Sequence, residues 1–169
     1  MATDYRSVHP LIADGDRHLR NILRDLLADL GIPRSNIREA QNGEGALELL
    51  NIQRSTFLIV AQQMIPMDGL TLVQKLRDPN LTPAPGIPII FCSGQLHREF
   101  LTKIHHAGVN EAIAKPVNAR AVYRCIAAVL EKPRPVITLA NYIGPERRFI
   151  AVPRDKEEDR RSSDDDFYI

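Results

Sequence analysis

Apolar positions along the 169-residue chain fall into two patterns. Short unbroken runs occur at Leu11-Ile12-Ala13, Phe57-Leu58-Ile59-Val60-Ala61, Pro88-Ile89-Ile90-Phe91-Cys92 and Ala112-Ile113-Ala114. None alternates with period 2, which predicts strands covered on both faces, as in a parallel sheet. Pro10 can stand only at the start of the first strand, because it has no N–H to give to a ladder. Between the runs, apolar residues recur at helical spacing. Leu19, Ile22, Leu23, Leu26, Leu27 and Leu30 form one buried stripe, with Asp16 as the N-cap and Gly31 and Pro33 as the stop.

The remaining elements follow in order. Residues 37–40 predict a short, weak strand, and Gln41-Asn42-Gly43 a turn. Helices are expected over 44–52, 70–77, 97–106 and 118–131, the last with Val122, Cys125, Ile126, Val129 and Leu130 on one face. Residues 78–86 hold three prolines and are expected to be irregular. Strands and helices therefore alternate five times. Short right-handed crossovers put helices on both faces of a parallel sheet, a doubly wound α/β domain over residues 8–132. Beyond Pro133 the helical period disappears and prolines recur, and residues 154–166 are nearly all charged or Ser. Residues 133–169 therefore read as a Pro-containing, charged tail, mostly disordered, with sticky points at Tyr142-Ile143 and Phe149-Ile150.

Composition narrows the classes. A formal net charge of +1 gives no bulk attraction to nucleic acid, and no basic stripe or helix-turn-helix follows the domain. Cys92 and Cys125 lie in apolar surroundings without CxxC spacing, so they are expected to be reduced core residues. No apolar run reaches the ~18 residues of a membrane span, and residues 1–10 lack the layout of a signal peptide. The expected setting is cytoplasmic, away from membranes.

Ordered motifs carry a family likeness. They are Leu11-Ile12-Ala13-Asp14 before the first helix, Met67-Asp68-Gly69 after the third strand, Pro88-Ile89-Ile90 before Ser93, and Ala107-Gly108 followed by Lys115-Pro116. In this order and spacing they resemble the receiver domain of two-component response regulators, the CheY-like fold. The resemblance implies five strands in the order 2-1-3-4-5 and a place in phosphorelay signalling. It also implies an aspartate nucleophile ending the third strand. Mg²⁺ is held by that aspartate and an acidic pair after the first strand, a hydroxyl follows the fourth strand and a lysine the fifth. Metal and lysine would neutralise charge on the transferring phosphoryl.

Mapped onto this chain, the acidic pair becomes Asp14 and Gly15, the hydroxyl Ser93, the lysine Lys115 and the nucleophile position Ala61. Neighbouring Gln62 and Gln63 offer no carboxylate if the register slips. A methyl group can neither attack phosphorus nor bind a cation. Asp14 alone is expected to hold Mg²⁺ weakly or not at all, so no cofactor is expected. Lys115, without its usual partner, is expected to pair with Asp14. The aromatic position of the fifth strand is Ala112, which removes the family's moving ring. These losses describe a pseudo-receiver, a non-enzymatic interaction module that works without phosphorylation. Its partners would be signalling proteins such as a histidine kinase, a phosphotransferase or another regulator. The resemblance places its contact face, and that of any homodimer, on the fourth helix, fifth strand and fifth helix.

Other readings stay open. An unconventional residue such as Asp14 would be the acceptor in one. A flavodoxin-like cofactor binder is another, although the Asp14-Gly15-Asp16 loop would repel phosphate. Asp68 is expected to cap the third helix rather than accept phosphoryl. His105 and His106 are adjacent on a helix and point ~100° apart, which disfavours a metal site. Tyr142-Ile143-Gly144-Pro145-Glu146-Arg147-Arg148 loosely resembles a segment appended to some bacterial receivers. It reads as a turn in the tail, or as a linear docking motif whose arginines would meet acidic surfaces.

Overall fold

The computed structural model describes residues 4–82 and 84–146. Phe149-Ile150, the Arg147-Arg148 pair and the acidic runs of the tail lie outside them.

Strand β1 (Leu11–Ala13) leads into α1 (Arg17–Asp29), β2 (Arg38–Ala40) into α2 (Gly43–Ile52), and β3 (Leu58–Ala61) into α3 (Gly69–Arg77). Then β4 (Ile89–Ser93) precedes α4 (Arg98–Ala107), and β5 (Glu111–Ala114) precedes α5 (Ala119–Glu131). The five strands form one parallel sheet in the order β2-β1-β3-β4-β5, as expected.

The unbroken apolar runs conceal an alternation. Leu58, Val60, Ile89 and Phe91 pack on one face with Ala46 and Leu50 of α2, Leu72 and Leu76 of α3, and Ile104 of α4. Ile59, Ile90 and Cys92 face the other way, against Leu23 and Leu27 of α1 and Val122, Cys125 and Ile126 of α5. Because both faces are covered, the positions of the central strands β1 and β3, and of β4 up to Ser93, are apolar, and period 2 disappears from these runs. Each such side chain, fully buried, contributes roughly 1.5–3 kcal/mol.

Side chains start each principal helix. Asp16, Asn42, Asp68, His97 and Asn118 accept from the backbone N–H of His18, Gly45, Thr71, Phe100 and Ala121, respectively. Asn42 therefore opens α2, and Gly43, read in the sequence as part of a turn, is its first residue. Gly108 ends α4 at φ 105°, a left-handed conformation that favours glycine.

The tail reading needs correction over residues 136–145. Strands β6 (Val136–Leu139) and β7 (Tyr142–Pro145) pair as an antiparallel hairpin across the Ala140-Asn141 turn. Its anchor explains why it orders. The Tyr142 hydroxyl donates to the Pro145 carbonyl at 2.9 Å in a buried setting. Gly144 lies so close to Arg77 that a Cβ would fall 2.7 Å from its Cδ. The sequence carried a signal, the β-branched run Val136-Ile137-Thr138 before Asn141, but a search for helical period overlooks it.

Candidate functional site

Parallel strands with helical crossovers bring their carboxyl ends to one edge, where the connecting loops form a crevice. Asp14 follows β1, Ala61 ends β3, Ser93 ends β4 and Lys115 follows β5. These strands are consecutive neighbours in the sheet, so all four positions share that edge.

Asp14 is buried, and both carboxylate oxygens are engaged. Oδ1 accepts from Asp16 N at 2.8 Å, and Oδ2 faces Lys115 Nζ at 3.3 Å. The expected Asp14–Lys115 pair is therefore present. Arg20 steadies the loop from α1, donating through Nη1 to the Asp14 carbonyl at 2.7 Å and through Nε to Glu39 at 3.1 Å.

Ala61 is buried at the tip of β3, opposite Cys92 in register. Gly69, at the start of α3, packs against it; a Cβ there would lie 2.1 Å from the Ala61 carbonyl oxygen. The helix can approach this closely only because residue 69 has no side chain. Asp68 accepts from Thr71 N at 2.7 Å, the expected capping role. Beneath the site, burial pushes the Cys92 thiol up to about 12, against the lowering effect of Lys115. It is a core thiol without nucleophilic character.

Ser93 is held by Gln62, which the sequence marks only as lacking a carboxylate. Its hydroxyl donates to Gln62 Oε1 and accepts from Gln95 N at 2.9 Å. Gln62 is itself fixed at both backbone groups, its N–H donating to Cys92 O and its carbonyl accepting from Gly69 N, each at 2.9 Å. Only the position of Gln62, immediately after the third strand, could have flagged it. A cleft of about 700 Å³ opens alongside, with Gly15, Gln41, Gln62, Met64, Ile65 and Asp68 in its lining. Most of that lining is amide or apolar. On β5, Ala112 stands opposite Phe91.

Comparison with known proteins accounts for this architecture. Residues 11–127 match the response regulator receiver domain family. The chain belongs to that family. It is 30% identical over 123 residues to the chemotaxis protein CheY of Pseudomonas aeruginosa, spanning 72% of this chain and 95% of that protein. CheY-3 of Vibrio cholerae is also 30% identical, over 72% of this chain and 91% of its own length. Among solved structures, CheY4 of Vibrio cholerae superposes with a TM-score of 0.65 at 21% identity, covering 73% of this chain and 98% of that one. A two-component response regulator from Clostridium difficile gives 0.65 at 24% identity, covering 75% and 98%. Both share the fold.

As a CheY-like receiver of two-component signalling, the chain would be expected to hold Mg²⁺ at this edge. That ion needs near-octahedral oxygen ligation. Here Asp14 already serves Lys115 and Asp16 N, Gly15 has no side chain and Ala61 ends in a methyl. Among the described residues no group of three or more His, Cys, Asp and Glu side chains is placed to hold a metal. The residues present do not fit the ion. Likewise among the described residues, no helix is long and apolar enough to cross a membrane.

Proposed function

We propose that this receiver acts without phosphorylation, as a protein–protein interaction module in two-component signalling. The observation that carries the reading is the Asp14–Lys115 contact at 3.3 Å, beside a third strand that ends in Ala61. At an effective dielectric near 20, two unit charges ~4 Å apart attract by about 4 kcal/mol before desolvation. That attraction occupies the lysine and the acid which an incoming phosphoryl group and its cation would otherwise use. Asp14 is a poor substitute acceptor for the same reason. Its buried carboxylate would have to break the ion pair before attacking phosphorus.

Ser93 adds support. In a phosphorylated receiver the hydroxyl at this place answers the arriving phosphoryl group, whereas here it already donates a hydrogen bond to Gln62 Oε1. The partner surface would be α4, β5 and α5, meeting a histidine kinase, a phosphotransferase or another regulator, with a homodimer through the same face as an alternative arrangement. The test is incubation of the full chain with acetyl phosphate and Mg²⁺, followed by intact-mass measurement and hydroxylamine treatment. No hydroxylamine-sensitive adduct is expected. A stoichiometric adduct would overturn the proposal, and mass mapping would identify the acceptor.

A further inference from the structure

At the opposite edge of the sheet, where α3 and α4 end, Arg77 is only 2% exposed. Its Nε and Nη2 donate to Gly108 O at 3.0 and 2.7 Å, and Nη2 also to Asn110 Oδ1 at 3.3 Å. Its Nη1 donates to Pro85 O at 2.6 Å and Ile87 O at 2.8 Å. Every acceptor is neutral. Among the described residues Arg77 makes no ion pair. Among the described residues the guanidinium is thus satisfied in hydrogen bonds without a counter-charge, an arrangement proteins usually avoid.

The hairpin turns this charge into the floor of a cleft. A cavity of about 340 Å³ lies between α3, α4 and the β6–β7 turn, lined by Gln74, Arg77, Lys103, His106, Asn141 and Tyr142, with Ala107 completing the wall. Among the described residues no carboxylate lines it. The side chains of Gln74, Lys103 and Asn141 bond no other group among the described residues. Asp78 accepts from the Asn80 backbone and side chain at 2.9 Å, and among the described residues Glu99, one turn before Lys103, makes no ion pair with it. The carboxyl ends of two helices carry about half a negative charge each, set against the buried Arg77 cation and the exposed Lys103 ammonium.

We propose that this cleft binds a tetrahedral oxyanion, either inorganic phosphate or the phosphate group of a small monoester. Arg77 acts through its field, because its planar fork is spent on carbonyl oxygens and cannot clamp a carboxylate in bidentate fashion. The polar side chains of the lining come from three elements, Gln74 from α3, Lys103 and His106 from α4, and Asn141 from the hairpin turn. That arrangement suits oxygens pointing in several directions. Asn141 and Tyr142 lie beyond residues 11–127 that match the family, so one wall of the cleft comes from outside the matched region. It is remote from Asp14 and Lys115, and neither proposal depends on the other.

The test is titration of the full ¹⁵N-labelled chain with inorganic phosphate, glycerol 2-phosphate and acetate at constant ionic strength. Saturable shifts are expected at the Lys103, His106 and Asn141 amides with either phosphate compound, the tighter one naming the source. Lys103→Ala, an exposed change, should weaken binding about tenfold, equivalent to ~1.4 kcal/mol. Lys75→Ala, on the outer surface of α3, should leave it unchanged and controls for net charge. Absence of saturation, an equal response to acetate, or equal weakening by Lys75→Ala would each overturn the proposal.

Discussion

Lys115 reaches across the sheet edge to Asp14, 101 residues away in sequence, and their charged atoms stand 3.3 Å apart. The acid is nearly sealed from solvent while the lysine is about one-third exposed. Removing the cation alone leaves a buried carboxylate without compensation. Lys115→Met should therefore destabilise the domain by roughly 1–3 kcal/mol, the upper end being reduced by the lysine's solvent exposure. The double variant with Asp14→Asn should recover part of that loss. Thermal denaturation of the four proteins in the cycle measures the coupling, and additive losses would mean the pair contributes nothing.

Chemistry at the edge should be recoverable by restoring its acids. Ala61→Asp with Gly15→Asp supplies two carboxylates beside Asp14, and a Cβ at residue 15 meets nothing closer than Gln41 O at 3.7 Å. The double variant is expected to bind Mg²⁺ and to form an acetyl-phosphate adduct, whereas the proposed function expects none on the natural chain. Mg²⁺ titration and intact-mass measurement provide the check. Failure of a folded double variant to react would show that another residue, Gln62 being the first suspect, blocks the pocket.

The hairpin and Arg77 hold each other. Gly144→Ala would drive a Cβ to 2.7 Å from both Arg77 Cδ and the Tyr142 hydroxyl. The expected cost is about 1–3 kcal/mol of overpacking. Hydrogen exchange should rise first in residues 136–145 and only later in the parallel sheet. Arg77→Met should be worse, because the carbonyls of Pro85, Ile87 and Gly108 lose their donors inside the protein.

His105 introduces a pH dependence. Burial holds its pKa below the ordinary 6.5, with Arg134 and His106 pushing the same way and a contact to Val109 O opposing them. Above ~6.5 the ring is neutral whether folded or unfolded, so it costs nothing. As pH falls below that value the unfolded chain takes up the proton first, and stability declines until the lower folded pKa is reached. Glu111, raised by burial against the lowering effect of Arg134 and Arg124, works in the opposite sense nearer its own range. His105→Gln should flatten the loss of stability below ~pH 6.5, read from urea denaturation across pH. An unchanged slope would exclude His105 as its source.

Residues far apart in the chain show what was legible and what was not. Leu19 through Leu30 announce α1 by spacing alone, and the run Phe57–Ala61 announces a doubly covered strand, because periodicity and burial are local properties of sequence. The sheet order followed once the family likeness was recognised, and Asp14, Ala61, Ser93 and Lys115 could be placed at one edge from strand order. Gln62 could not be assigned to Ser93, nor Arg77 to the carbonyls of Gly108 and Ile87. These partners are 31 residues apart or belong to different elements, and no residue spacing records which neutral acceptor a buried donor will find. The hairpin over residues 136–145 escaped for a related reason. A lone two-stranded hairpin of four-residue strands is marginal in water, and β7 is buried against Arg77 and Gly108, residues remote in sequence that only the folded sheet brings to it.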